Sequence, residues 1–452
     1  MGFSVRYGDA DKVRSAGFGR VAELPFIFDS RPGYHRVSSW YLMDRGTGDW
    51  SPTKKFESGL RPSAASIRDY ADWLINFLEW AEARSVDLIK CEYNADLIEK
   101  YQAEMISGEW SRDGAPLAGA TINSRVQEAC YFLTWMADQK LRPEFKVPYR
   151  RNRAGSNNYK SSDVEIKQRE GKVRVNKKRL RMPNDNEIAE FTLSVYEVVG
   201  EAEGLMSETI LLTALRRAEI SCWRTDTLPA DPRDWEIVNP NAPISRQSVR
   251  VSIRYGTKGT TYGYNCGDKI GPERDVFLPL GHAYRLNHYY NNTRNKSLAK
   301  YISSADVKEQ NNRIKKSVHL FINSDGERIH GKALYRAWKK GNLPYKNWSP
   351  HLGRDWWACS VLLKEMEAHK ELLKLPHAIA SVLLTASAMT IIQLNIMPRL
   401  GHSSPETSMI YLHWISDMMG FNIVIDYEIA NQEAYEKRLA EERRRIEHTQ
   451  DQ

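Results

Sequence analysis

The sequence predicts a mainly α-helical protein with a small β-sheet, an α+β fold, built as more than one domain. Three observations carry this. Apolar residues recur at three- and four-residue steps over 67–81 and again over 122–136, the period of a helix with one buried face. Residues alternate in polarity over 248–255, and the turn Gly256-Thr257-Lys258-Gly259 separates that run from a second strand-like run over 274–280. The chain has 452 residues, a length suited to two or three domains.

Taken in order, residues 1–60 are Gly-, Ser- and aromatic-rich with weak periodicity and read as an N-terminal extension of short strands and loops, without an assigned role. Residues 61–147 read as a helical domain. Ile67, Tyr70, Leu74, Phe77, Leu78 and Ala81 form the buried face of its first helix, and Ser66 with Asp69 predicts a capping box there. A helix over 95–107 follows. After Gly119, a further helix carries Ile122, Val126, Ala129, Leu133 and Met136.

Residues 148–182 read as a basic linker. Twelve Lys or Arg (150, 151, 153, 160, 167, 169, 172, 174, 177, 178, 179, 181) stand against three acids (163, 165, 170). This net +9 exceeds the +8 of the whole chain. Composition alone describes a solvated tether. Concentration of the excess at a domain joint points instead to a strap that contacts nucleic-acid phosphates, through Arg150, Arg151, Arg153, Lys177, Lys178, Arg179 and Arg181.

Residues 183–430 read as the second domain. Pro183-Asn184-Asp185-Asn186-Glu187 is a helix start. Helices are expected over 185–199 and 204–222, then the two strands, then helices to the end, including a buried one over 378–397. Residues 431–452 are highly charged, with Tyr435, Leu439 and Ile446 as sparse apolar points. They read either as a frayed solvated helix or as an arm that docks on a neighbouring copy. The sequence has no internal repeat.

Composition excludes several classes. The five cysteines (91, 130, 222, 266, 359) form no C-x-x-C pair and are odd in number. That argues against a disulfide framework and a structural zinc site, and fits a reducing cytosol. The N-terminus lacks the apolar core of a signal peptide, and no apolar run reaches membrane-spanning length. Thirteen Trp and twenty-two Tyr are ample for packing and for stacking on bases.

Four short segments carry chemistry. They are Thr213-Ala214-Leu215-Arg216-Arg217-Ala218-Glu219-Ile220, Tyr255-Gly256-Thr257-Lys258-Gly259, His351-Leu352-Gly353-Arg354, and Leu400-Gly401-His402-Ser403-Ser404 with Tyr411 nine residues after the histidine and His413 beyond it. Singly, each has a bland reading. His351 follows Ser349-Pro350 as a helix-start residue does, His402 suits an N-cap, and Tyr411 lies among the apolar Met409, Ile410 and Leu412. Arg216, however, ends the apolar run 210–215, where a charge needs a partner. Glu219, three residues on, shares its face and predicts a salt bridge that orients it.

In this order, after a helical domain, the four segments resemble the boxes of the tyrosine recombinases, the phage-integrase family of site-specific DNA recombinases. The resemblance covers roughly residues 60–430. It implies a helical core-binding domain and a catalytic domain that form a C-shaped clamp on DNA. It places Arg216, Lys258, His351, Arg354, His402 and the nucleophile Tyr411 in the catalytic set, with Glu219 supporting. Arg217 is an alternative to Arg216, and Lys269 and Lys172 are alternatives to Lys258.

The implied chemistry explains the residue types. Attack on a phosphodiester builds charge on two non-bridging oxygens, and guanidinium forks bind such oxygens bidentately. The phenol, with a pKa of ~10, must lose a proton as it attacks. His351 is the candidate acid/base partner, Lys258 protonates the leaving 5′-oxygen, and His402 donates a hydrogen bond to the phosphate.

The implied activity is cleavage and rejoining of double-stranded DNA through a 3′-phosphotyrosyl intermediate. It uses neither metal, cofactor nor ATP, and works as a homotetramer on synapsed sites. The implied location is the cytoplasm, at the nucleoid, with no membrane partner. Type IB topoisomerase or telomere-resolvase activity, a non-catalytic DNA-binding accessory role in a mobile element, and RNA binding are the alternatives.

Three departures stand out. Ala214 occupies the place of a usual Gly, Gly353 that of a usual Leu, and Asp355 follows Arg354 where a second histidine is frequent. The spacing from Leu280 to His351 and from Arg354 to His402 is also long.

Overall fold

The computed structural model describes residues 2–31, 33–52, 61–152, 166–175, 180–369, 371–372, 377–402, 405–419 and 432–441. The chain divides into two compact units, Met1–Lys178 and Arg179–Gln452.

In the first unit, β1 (Ser4–Tyr7) pairs antiparallel with β2 (Pro25–Phe28). Helix α1 (Ala10–Ser15) lies between them in sequence, and α2 (Arg36–Thr47) follows. The long helices are α3 (Ala64–Ala83) and α5 (Gly119–Asp138). A helical segment with wide π-type turns, Tyr93–Gln102, runs into α4 (Ala103–Ser107). Strands β3 (Tyr149–Asn152) and β4 (Ile166–Arg169) form a second antiparallel pair. Leu74, Phe77 and Trp80 of α3 meet Leu97, Tyr101 and the α5 residues Val126, Phe132 and Trp135 in one core.

The structure corrects three expectations here. Residues 1–60 are more than an extension: Ile27, Tyr41 and Leu42 sit in the same core as α3 and α5. The cap of α3 is Ser63, whose side chain accepts the N–H of Ser66, so helix formation starts one turn before the Ser66–Asp69 pair. Residues 169–173 of the basic segment are tied down, because Asn123 of α5 exchanges hydrogen bonds with the backbone of Val173 at 2.8 and 3.0 Å. Gln102 Nε2 donates to Gly171 O at 2.9 Å, and Arg169, buried, donates to Tyr93 Oη at 2.7 Å.

In the second unit, α6 (Asp185–Val199) begins at Asn184, which forms a full capping box with Glu187. Next come α7 (Glu201–Thr213) and the short α8 (Arg217–Ser221). The expected single helix over 204–222 is thus two. Ala214 adopts φ 54°, ψ 32°, a left-handed conformation that ends α7 and accounts for glycine being the easier residue there.

The sheet, in order β5-β6-β8-β7, is antiparallel: β5 (Ile237–Val238), β6 (Ser248–Tyr255), β7 (Tyr264–Asn265) and β8 (Asp268–Pro279). Alternation along β6 buries Val249, Val251 and Ile253 against α7 and α9 (Leu280–Tyr289). Helices α10 (Asn295–Ser303), α11 (Val307–Lys316) and α12 (Gly331–Lys340) lead to α13 (Pro350–Glu367).

A second core in this unit joins α13, α14 (His377–Ile391), the turn α15 (Met397–Leu400) and α16 (Met409–Met418). The helix expected to be buried over 378–397 is buried on one side only. Ala380, Leu384 and Ala388 face the core, whereas Ile379, Val382 and Leu394 are exposed. Of the tail, residues 432–441 are helical and exposed. No helix among the described residues is long and apolar enough to cross a membrane.

Candidate active site

The centre of the site is a backbone carbonyl. The turn α15 ends at Gly401, and the carbonyl of Leu400 accepts from two arginines of different segments, Arg216 Nη2 at 2.8 Å and Arg354 Nη2 at 2.9 Å. Arg216 Nη2 also donates to Gly401 O at 3.1 Å. Gly401 has φ 61°, and a Cβ there would lie 3.2 Å from Arg274 Cδ and 3.3 Å from Arg216 Nη1. Glycine is therefore what lets the loop backbone close on the guanidinium groups.

Arg216 is fixed by Glu219. It is the N-cap of α8, and its own N–H donates to Glu219 Oε2 at 2.6 Å while Nη1 donates to Oε1 at 2.9 Å. The salt bridge expected from the three-residue spacing is present. A third arginine, which sequence reading did not single out, completes it: Arg274 on β8 donates from Nη2 to Glu219 Oε2 at 2.6 Å and binds the carbonyl of Arg399. Burial pushes the Glu219 carboxyl up, but Arg274 and Arg216 pull it further down, so it stays ionised. One carboxylate thus pairs with two arginines, leaving this cluster with positive charge in excess.

Arg354, on α13, is 3 % exposed. Burial, then the repulsion of Arg216, lowers its pKa to about 10, so it remains charged at neutral pH. Among the described residues its Nε is buried without a hydrogen-bond partner. Such an orphaned charged donor is costly unless a ligand meets it.

His351 sits in the first turn of α13, after the cap Ser349, whose side chain accepts the N–H of Leu352. With Arg216, Arg217, Ala218, Tyr335, Ser349, Pro350 and Arg354 it lines an open cleft of about 400 Å³. A helix N-terminus and three arginines, Arg216, Arg217 and Arg354, make this cleft electropositive. Arg217, the alternative to Arg216, is exposed and lies over the Tyr335 ring at 5.4 Å.

His402 is not a helix N-cap. Its Nδ1 lies 2.9 Å from Ser408 Oγ, and its ring stacks on Tyr411 at 6.4 Å with 7° between the planes. Burial first, and then the charges of Arg354, Arg216, His351 and Lys258, lower its pKa to about 4, so it is neutral at pH 7. Lys258 itself is exposed in the segment after β6. Its rival Lys269 is engaged, donating to Gly259 O at 2.6 Å.

Tyr411, on α16, is 2 % exposed and belongs to the second core of its unit. The bland reading of it as a core residue therefore holds for its ring. Its hydroxyl is different, since it donates to Asp355 Oδ1 at 2.9 Å. Burial, and then Asp355, push its pKa well above that of a free phenol.

The basic residues fare unevenly. Arg150, on β3, is exposed and lies 3.6 Å from Glu170. Arg151 is in the same strand. Arg181 is exposed and packs over Tyr345 at 5.0 Å. Arg153, Lys177, Lys178 and Arg179 lie outside the described residues, as do Ser403 and Ser404.

No family model matches the chain, and no curated protein does. Among solved structures, it is similar to the XerH site-specific recombinase bound to palindromic difH substrate in a post-cleavage complex (16 % identity, 84 % of this chain and 86 % of that one, TM-score 0.44). It is also similar to the Tn1549 transposon integrase in complex with transposon right end DNA (11 % identity, 79 % and 92 %, TM-score 0.44). A further similarity is to the XerA recombinase (13 % identity, 87 % and 98 %, TM-score 0.30).

Proposed function

We propose that this chain is a tyrosine recombinase, a site-specific DNA recombinase or integrase that cuts and rejoins duplex DNA through Tyr411. The reading is carried by one observation: guanidinium groups from two segments 138 residues apart (354 − 216) bond to one carbonyl oxygen, beside a loop whose histidine stacks on a buried tyrosine. The grouping suits a phosphodiester better than a neutral substrate, since the cations outnumber the carboxylate that orients them.

In this reading a scissile phosphate enters the cleft at the N-terminus of α13. Arg216 and Arg354 hold its non-bridging oxygens, and His351 does acid/base work there. His402, neutral, donates from Nε2 when Ser408 donates to Nδ1. Tyr411 Oη attacks phosphorus, its O–H bond breaks, and the P–O5′ bond breaks as Lys258 protonates the leaving oxygen. The arginines and the helix N-terminus supply the positive charge that this step needs. The first unit would act as the core-binding domain and the basic segment as a phosphate-contacting strap. Assembly as a homotetramer on two synapsed sites follows from the same reading.

A nicked suicide duplex tests it. Wild-type protein should form a covalent adduct stable to denaturant. Tyr411→Phe should form none, with DNA affinity within about twofold of wild type, because the lost hydroxyl bonds to Asp355 and takes no part in phosphate binding. Adduct formation by that variant would refute the assignment.

A further inference from the structure

We infer that Asp355 is the proton acceptor of the Tyr411 nucleophile; the inference rests on the reading of Tyr411 just proposed. A phenol cannot displace an alkoxide without giving up its proton, and something within hydrogen-bond reach must take it. The one acceptor that Tyr411 Oη meets among the described residues is Asp355 Oδ1, at 2.9 Å. Both groups are buried, Tyr411 to 2 % and Asp355 to 9 % exposure, so bulk water does not compete for the bond. His351 is exposed and lines the cleft with Arg216 and Arg354. The His402 ring lies parallel to the tyrosine ring but offset, with 6.4 Å between centroids, and its Nδ1 is turned to Ser408.

Asp355 owes its position to Arg354. The two are neighbours on α13, where successive side chains point about 100° apart, so one helix sends its arginine to the Leu400 carbonyl and its aspartate to α16. In the forward step, Oη–P forms as the Oη–H proton passes to Asp355 Oδ1, and the P–O5′ bond breaks as Lys258 protonates the leaving oxygen. In rejoining, the incoming 5′-hydroxyl attacks phosphorus and gives its proton back to Lys258, the Oη–P bond breaks, and Asp355 returns the proton to Tyr411. Atoms and charge balance without a co-reactant. The groups that bear on the pair are Arg354 and Cys359 of α13, Tyr345 before it, and His402.

The test compares full-length wild type, Asp355→Asn and Asp355→Ala in single-turnover adduct formation on the nicked duplex, across pH 6–9.5, with DNA affinity and thermal midpoint measured alongside. Asn keeps the size of the side chain and accepts the hydrogen bond, yet cannot take a proton. Asp355→Asn should slow adduct formation by about a hundredfold or more. Its rate should keep climbing with pH, as hydroxide replaces the missing base, where the wild-type rate has levelled off. Formate should restore a substantial part of the rate to Asp355→Ala and add nothing to wild type. Should Asp355→Asn bind DNA and react at the wild-type rate with the wild-type pH profile, the inference fails while the assignment of Tyr411 stands. A faster Asp355→Ala would also overturn it, and would make the carboxylate a brake on the nucleophile. Absence of any wild-type adduct removes the nucleophile and the acceptor together.

Discussion

Each unit buries one glutamate beside arginine, and the two are built to opposite ends. In the first unit Glu128, on α5, lies 3.7 Å from Arg45 and accepts from Tyr41 Oη at 2.7 Å. Arg45 donates to the same hydroxyl at 2.9 Å and is enclosed by the rings of Tyr41, Trp50, Tyr70 and Tyr131, the nearest at 4.3 Å. One positive charge meets one negative charge, and the aromatic faces cover the rest of the guanidinium. In the second unit Glu219 faces Arg216 and Arg274, with Arg354 beside them. Here the arginines outnumber the glutamate, and an orphaned Nε is left at Arg354. A neutralised buried pair holds a fold together; in the proposed reading, the unbalanced one takes an anion.

The largest effect should come from the surplus itself. Arg354→Ala removes the buried guanidinium that the surrounding site cannot replace, and should slow adduct formation by about 10²–10³-fold, or ~3–4 kcal/mol of transition-state stabilisation. Arg354→Lys should recover little, since an ammonium cannot span two phosphate oxygens from that helix as a planar fork does. The single-turnover rate at saturating enzyme checks both. A variant within threefold of wild type would break the contrast, because Arg354 would then be structural like Arg45.

Next in size is the removal of each carboxylate. Glu128→Ala leaves Arg45 charged in a sealed core, and should destabilise the protein by about 3–5 kcal/mol. Adduct formation below the unfolding midpoint should be unaffected. Replacing both partners, with Arg45→Met and Glu128→Leu, should be far milder. Glu219→Ala should differ in kind, lowering the unfolding midpoint and also the cleavage rate, because Arg216 loses both the side-chain and the backbone contact that aim it. Urea unfolding combined with the adduct assay separates the two outcomes.

The contrast also explains what was legible in the sequence. The balanced pair was invisible. Helix α2 buries Ser38, Ser39, Arg45 and Thr47 alongside Tyr41 and Leu42, so no apolar stripe marks it. Ser39 is tolerated inside because its hydroxyl accepts the N–H of Ile27 at 2.9 Å, a bond to a strand twelve residues away. Long-range satisfaction of this sort leaves no periodic trace. The unbalanced site was legible in its local boxes, because phosphate chemistry demands particular side chains at short spacing. Arg216, Glu219, Arg354 and His402 could be picked out this way.

Arg274 and Asp355 could not be assigned roles in the same way. Arg274 was visible only as the first residue of a strand-like run, and its role depends on β8 crossing under the loop at Arg399, 125 residues later. Asp355 stood out only as a departure after Arg354, and its partner on α16 is 56 residues on. The one-residue accuracy at Asn184, Gly119 and Ser248 reflects caps and alternation, which are local physics. The break at Ala214, inside the single helix expected over 204–222, reflects a left-handed residue that alanine does not advertise.

The smallest effect should come from the packing behind the arginine. At Gly353 the structure shows what fills the space: a Cβ built there would lie 2.9 Å from Trp338 Cη2 and 3.1 Å from Leu211 Cδ2. Trp338 is fully buried, packed at a tilt against Phe191 at 4.7 Å and Trp348 at 6.2 Å, so its ring has little freedom to withdraw. Gly353→Ala gains helix propensity, worth about 0.8–1 kcal/mol in α13, and loses to overpacking that costs about 1–3 kcal/mol. The net should be a loss of ~1 kcal/mol in urea unfolding. The rate of adduct formation should fall only modestly, as Arg354, one residue on, is held by its own bond to Leu400. Gly353→Ala with Trp338→Phe should recover part of the stability by giving the methyl room. Should Gly353→Ala instead stabilise the protein, the tryptophan yields more than its neighbours suggest, and the rigidity assumed for the wall behind Arg354 is wrong.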